Sequence, residues 1–184
     1  IFLARKRLIA SIIIKNGIVV QSFGFSKYLP LGKPEIFVEN LDRWGADEIM
    51  ISVIDRSINK LGPDYDLIKR ICKVKPSTPI IYSGGIRTSD EANKVIQHGA
   101  ERVAVDAMLF DTLDEIKKIA KYIGSQALII ALPVTFQKNE LLHFNYIDRS
   151  SSEFSSGLID LVECRIVSEV LLIDWFNEGK LNKF

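Results

Sequence analysis

The chain has 184 residues, 47% hydrophobic and 26% charged, with a formal net charge of +1. That is the composition of a soluble globular chain large enough to bury a core, and its near-zero balance leaves no electrostatic footprint for nucleic acid. No apolar run approaches the ~20 residues that span a bilayer.

The opening "IFLARKRLIASIII" mixes apolar and basic residues, lacks a small-residue cleavage site and runs on into a strand, so it does not read as a secretory signal. Cys72 and Cys164 lie far apart on expected helices. They suggest reduced core thiols in a cytosolic protein, not a disulfide framework or a metal site.

Residues 7–14, "RLIASIII", are β-branched and apolar; "KNG" makes a turn, and "IVVQSF" reads as an antiparallel return. Helical spacing over 35–44 follows Pro34 and stops at Gly45. A strand is expected at 47–55, a helix at 64–74, and a third strand at "TPIIYS". The helix at 88–98 has Thr88 or Ser89 as N-cap, Asp90 and Glu91 in its first turn, and Gly99 after it. Strand 101–106, helix 113–123, strand 126–134, helix 158–167 and strand 169–176 complete the series.

Strands alternating with helices at this spacing mean βαβ units and a parallel sheet. Strands covered on both faces should be continuously apolar, and these are. An open doubly wound sheet and a (β/α)8 TIM-type barrel both fit. An internal repeat favours the barrel. "GADEIMISVID" (45–55) is similar to "VSEVLLIDWF" (167–176), and "IIIKNGIVVQSF" to "ALPVTFQKNELLHF", about 120 residues apart. The expected organisation is one incomplete barrel domain over 1–184, with half-barrel repeats at about 3–124 and from about 125. A full barrel takes ~250 residues, so the last two βα units are expected to be absent.

Parallel βα units gather chemistry at the carboxyl ends of their strands. Gly84 and Gly85 stand at such an end in "IIYSGGIRTSDEA". Their bare backbone, with the helix that opens near Thr88, can cradle an anion, most often phosphate; equally, two glycines can simply turn the chain. Asp55, Asp106 and Glu178 also fall at strand ends. They are candidates for proton transfer, or for helix caps and solvated groups. At the strand starts stand Arg7, Glu48, Arg102 and Glu169. Two cations and two anions pointing inward must pair with one another. His98, before a helix-ending glycine, suits the negative helix end. His143 reads as a surface or loop residue, and Trp44 and Trp175 have core spacing. Nothing suggests a hydrolytic triad, a zinc cluster, a Walker loop or any metal or cofactor site.

In order along the chain, "RKRLIASIIIKNGIVVQSF", "GADEIMISVID", "TPIIYSGGIRTSDEANKVIQHGAERVAVDAMLF" and "SEVLLIDWFNEG" resemble the cyclase subunit of imidazole glycerol phosphate synthase, the HisF family. The resemblance implies a (β/α)8 barrel with two phosphate sites. It also implies a partner glutaminase docked on the strand-start face, whose ammonia passes through the barrel. On that basis Gly84, Gly85 and Thr88 match a phosphate loop, and Arg7, Glu48, Arg102 and Glu169 match the gate at the ammonia entrance.

The departures are as specific. Ile13 stands where the family has one catalytic aspartate, and Pro133 where it has the other; Gln21 replaces a lysine, and Asp106–Ala107 a phosphate-binding pair. Neither Ile nor Pro transfers a proton, so the family's cyclisation is expected to fail. "IIIKNG" and "FSKYLPLGKPE" resemble HisF-like proteins encoded with surface-polysaccharide genes. That branch implies ammonia delivery to a phosphorylated or nucleotide-linked sugar. Two alternatives stay open: the histidine-pathway cyclase itself, and a scaffold or truncated product without turnover.

Overall fold

The computed structural model describes residues 6–181. Six strands run parallel in the order β1 (Ile9–Lys15), β4 (Glu48–Val53), β5 (Ile80–Ser83), β6 (Arg102–Val105), β7 (Leu128–Gln137) and β10 (Glu169–Asp174). Two antiparallel extensions make the sheet mixed. After β1 come β2 (Ile18–Phe23) and β3 (Lys27–Gly32); after β7 come β8 (Glu140–Asn145) and β9 (Ser150–Ser152). The same strand–hairpin–strand pattern therefore follows the first and the fifth parallel strand, where the sequence repeat falls.

The helices are α1 (Pro34–Arg43), the single turn α2 (Ile54–Ile58), α3 (Tyr65–Lys73), α4 (Ser89–Gln97), α5 (Leu113–Ile123) and α6 (Ser156–Glu163). Alternation along each strand divides the apolar residues between two cores. Ile12, Ile14, Ile49, Ile51, Val103 and Ile130 face the helices and join Leu67, Ile71, Val95, Ile116 and Ile119 in the larger one. Met50, Ile81, Ala104, Ile129 and Ala131 face the other way and meet in the concave interior, with Ile173 against them. A strand covered on both faces needs an unbroken apolar run, which is why the strand signal was so plain.

The helix ends follow their local chemistry. Pro34 occupies the first turn of α1. Thr88 caps α4, its hydroxyl accepting from Glu91 N–H while Glu91 returns to the Thr88 N–H, a capping box. His98 is the C-cap residue of α4; its Nδ1 lies 2.6 Å from the Lys94 carbonyl and its ring packs on Tyr65.

Some expectations fail for physical reasons. The stretch 27–32, to which the sequence assigns no element, forms β3, an exposed edge strand on which Pro30 needs no ladder partner. β10 is not covered on both faces: Leu172 is 57% exposed, because β7 is the one strand paired with it among the described residues. His143 is buried at 5% exposure, its ring stacked on Phe110 at 4.3 Å and facing Phe154 at 6.2 Å; an aromatic slot outweighed its polarity. Trp44 is 76% exposed, since the short turn after α1 points it outward. Cys164 is exposed, and Cys72 only half-buried beneath Gly99.

Candidate functional site

The strand starts bring the four charges expected there into one closed circuit. Arg7 Nη1 lies 3.3 Å from Glu48 Oε2, and Arg102 Nη1 lies 3.2 Å from Glu48 Oε1. Arg102 Nη2 lies 3.1 Å from Glu169 Oε1, and Arg7 closes the circuit by pairing with Glu169. Positive and negative charge alternate, so each group touches two of opposite sign. The geometry follows from position: Glu48, Arg102 and Glu169 are the first residues of β4, β6 and β10, and Arg7 precedes β1 by two. Glu48 is buried, and the Arg102 side chain is 11% exposed. Arg102 also donates to the Gln126 carbonyl and the Ser168 hydroxyl, so its guanidinium is fully engaged. Burial disfavours the Glu169 charge, yet hydrogen bonds from Arg102 and Arg7 outweigh it and hold the carboxyl below its ordinary range. Glu169 in turn holds Arg7 firmly protonated.

Above this circuit the concave face holds a partly open pocket of about 1260 Å³, reaching from Glu169 at one end to Gly84, Asp106 and Glu178 at the other. Ile13 and Pro133 line it, together with the hydroxyls of Ser11, Ser52 and Ser83. The two positions at which the family resemblance expects proton-transfer aspartates thus present only aliphatic carbon to the interior.

At the strand ends each expected residue has a partner within the protein. Gly84 has φ +133°, and a Cβ there would lie 2.4 Å from the Val53 carbonyl oxygen. Gly85 has φ +73°, and its Cβ would lie 2.3 Å from the Gly62 carbonyl oxygen. Close packing of the β4–α3 connection thus requires glycine at both positions. The Gly85 N–H donates to Ser57 Oγ at 3.1 Å. The N-terminus of α4 is served by carboxylates: Glu91 accepts from the Arg87 and Thr88 N–H groups, and Glu115 from the Ser89 N–H and hydroxyl. Lys118, with those Ser89 donors, draws the Glu115 carboxyl down to about 2.

Asp55 Oδ2 accepts the Asn16 N–H at 2.9 Å and pins the β1–β2 turn, while its Oδ1 is buried without a partner. Asp106 Oδ1 accepts the Ala107 N–H at 2.6 Å and, at 3.5 Å, the Ser57 hydroxyl; Oδ2 accepts the Tyr146 hydroxyl at 2.7 Å. Burial, and then the adjacent Asp106 charge, push the Tyr146 phenol far above its ordinary value. Glu178 Oε2 accepts from Ser22 Oγ at 3.0 Å and from the Phe25 N–H at 3.2 Å, while its carbonyl accepts from the Gly24 N–H at 2.9 Å. Phe25 stacks on Trp175 at 4.1 Å and Trp175 on Tyr146 at 5.1 Å. The segment after β10 is thereby clasped to the β2–β3 hairpin. Asp55, Asp106 and Glu178 are each committed to different partners and do not converge on one point. Ser57, Glu115 and Tyr146 carry no motif, and the sequence alone did not single them out.

Six parallel strands in barrel order, helices on their outer side, and separate polar rims at strand starts and strand ends define an α/β protein of (β/α)8-barrel type, its sheet not closed among the described residues. The family model described as "Histidine biosynthesis protein" matches residues 7–183, and the chain belongs to that family. It is 34% identical over 127 residues to "Imidazole glycerol phosphate synthase subunit HisF" of Thermococcus gammatolerans, covering 69% of this chain and 50% of that protein. A protein of the same name from Saccharolobus solfataricus is 33% identical over 129 residues, 70% of this chain and 51% of the relative. One from Natranaerobius thermophilus is 26% identical over 182 residues, 97% and 71% respectively. The aligned stretch spans about half the length of the first two relatives. Among the described residues no helix is long and apolar enough to cross a membrane, and no group of His, Cys, Asp and Glu could hold a metal ion.

Proposed function

We propose that this chain is a HisF-like subunit that docks a glutaminase at its strand-start rim and takes up ammonia there, passing it through the interior toward an acceptor at the strand ends. The observation that carries this reading is the closed circuit of Arg7, Glu48, Arg102 and Glu169 seated at the mouth of an apolar cavity. Neutral ammonia crosses an apolar, hydroxyl-dotted interior far more readily than ammonium, because desolvating an ion costs several kcal/mol more. The ion circuit supplies a seal that opens when one pair exchanges partners. Ile13 and Pro133 leave no base or acid at their places in the interior, which favours conduction over cyclisation. The acceptor is a phosphorylated or nucleotide-linked sugar, a reading that rests on the resemblance of "IIIKNG" and "FSKYLPLGKPE" to the polysaccharide-linked branch.

The test is to mix the protein with its cognate glutaminase and follow glutamate release. Binding with a severalfold rise in glutamine turnover supports the reading; neither binding nor stimulation refutes it. The second reading, a cyclase of histidine biosynthesis, is favoured by the names of the relatives. Growth of a histidine auxotroph lacking the cyclase, when supplied with this chain, would establish that reading and overturn our account of Ile13 and Pro133.

A further inference from the structure

The ends of β5 and β6 bring together a glycine pair, the Ser57 hydroxyl, the Gly85 and Ala107 N–H groups and an adjacent helix start, and both of those N–H groups are taken within the protein. We propose that the Asp106 carboxylate is the resident anion of this cradle, so that the site excludes phosphate and Asp106 sets its charge preference.

The connections support an internal occupant. The Ala107 N–H, the donor that follows β6 directly, is taken by Asp106 Oδ1 at 2.6 Å. The Gly85 N–H reaches the same carboxylate through Ser57, whose oxygen accepts from Gly85 at 3.1 Å and whose hydroxyl faces Asp106 Oδ1 at 3.5 Å. The Tyr146 hydroxyl, part-buried, closes the far side on Oδ2 at 2.7 Å. Donors from three separate segments therefore converge on one carboxylate, as they would on a bound oxyanion. The neighbouring helix start is filled in the same manner, its Arg87, Thr88 and Ser89 N–H groups going to Glu91 and Glu115. A phosphate dianion entering here would meet a fixed negative charge at contact distance and would find its donors engaged. A ligand entering from the loop end meets an acceptor, and the group it presents to Asp106 is a hydroxyl or an amine.

The probe is inorganic phosphate, titrated near pH 7.5 by calorimetry against the wild type, Asp106→Asn and Tyr146→Phe. Asp106→Asn keeps the shape, removes the charge and adds a donor, and is expected to bind phosphate at least about tenfold more tightly than the wild type. Tyr146→Phe frees a lone pair but keeps the charge, so it should gain nothing. Equal affinity in the wild type and Asp106→Asn, no binding by folded Asp106→Asn, or a gain in Tyr146→Phe would each overturn the proposal. Asp106→Ser, judged by the same criteria, replaces the first variant if Asn fails to fold. Docking of a glutaminase at the opposite rim involves none of these groups, so either result leaves that part of the proposed function to its own test; phosphate exclusion in the wild type requires a phosphorylated acceptor to hold its phosphate away from Asp106.

Discussion

The two rims of this sheet handle charge in opposite ways. At the strand starts Arg7, Glu48, Arg102 and Glu169 satisfy one another, cation against anion, in a closed circuit. At the strand ends Asp55, Asp106 and Glu178 accept from backbone N–H groups and hydroxyls, each at its own place, with one Asp55 oxygen left without a partner. The first arrangement is a network whose members depend on each other; the second is a set of independent clasps. Both tie the first part of the chain to the β10 end, Arg7 ahead of β1 to Glu169 at one rim and the β2–β3 hairpin to Glu178 at the other. Spatial convergence separates them: charges that meet one another can act as one device, whereas each strand-end carboxylate answers to its own set of donors.

The sharpest test of the strand-end rim is Gly85→Ala. Its Cβ would sit 2.3 Å from the Gly62 carbonyl oxygen at a φ of +73°, and a loss of about 3 kcal/mol or more is expected in denaturant unfolding. If that rim were open space for a ligand, the loss would stay within about 1 kcal/mol. Next is Arg102→Met, which strips the buried Glu48 of one partner and should cost about 3 kcal/mol, measured in the same way. Arg7→Ala, at the half-exposed corner of the same circuit, should cost under about 1 kcal/mol. Equal losses for the two arginines would mean that burial does not grade the circuit. Between these two falls Glu178→Ala, which frees the Ser22 hydroxyl and the Phe25 N–H and should cost about 1–2 kcal/mol.

His143 belongs to neither rim and gives a pH signature of its own. Burial between Phe110 and Phe154 lowers its pKa below the ordinary histidine value of about 6.5. The unfolded chain therefore takes up the proton before the folded one, and the contribution to stability is complete above about 6.5 and lost as the pH falls through the folded value. His143→Phe should remove that dependence, so its stability relative to wild type rises between about pH 7 and 5 in paired unfolding curves; parallel curves would mean the ring is not sequestered.

Much of this was legible in the sequence because it is local. The apolar runs of β4, β5 and β6 need cover on both faces and so declare themselves, and Thr88 with Glu91 spells out a capping box three residues apart. The circuit could be anticipated because its members stand at or just before equivalent strand starts, where parallel pairing aligns them. What stayed hidden depends on contacts across sequence distance. Tyr146 reaches Asp106 from 40 residues away, and Ser57 meets it from 49; neither has a motif to mark it. The Gly84–Gly85 pair carried the right signal, a backbone that tolerates no Cβ, but the neighbour that imposes it is the chain itself, at Val53 and Gly62. His143 and Trp44 changed places with expectation because aromatic cover and turn direction, not polarity, decided their burial.

A double-mutant cycle on Arg102 and Glu48 bears most directly on the circuit from which the functional reading starts. Unfolding free energies of the wild type, Arg102→Met, Glu48→Gln and the double variant should give a coupling of about 2 kcal/mol, with the double variant more stable than the two separate losses predict. Additive losses, with a coupling near zero, would mean these charges are not interlocked, and the case for a sealed entrance at the strand starts would fall with them.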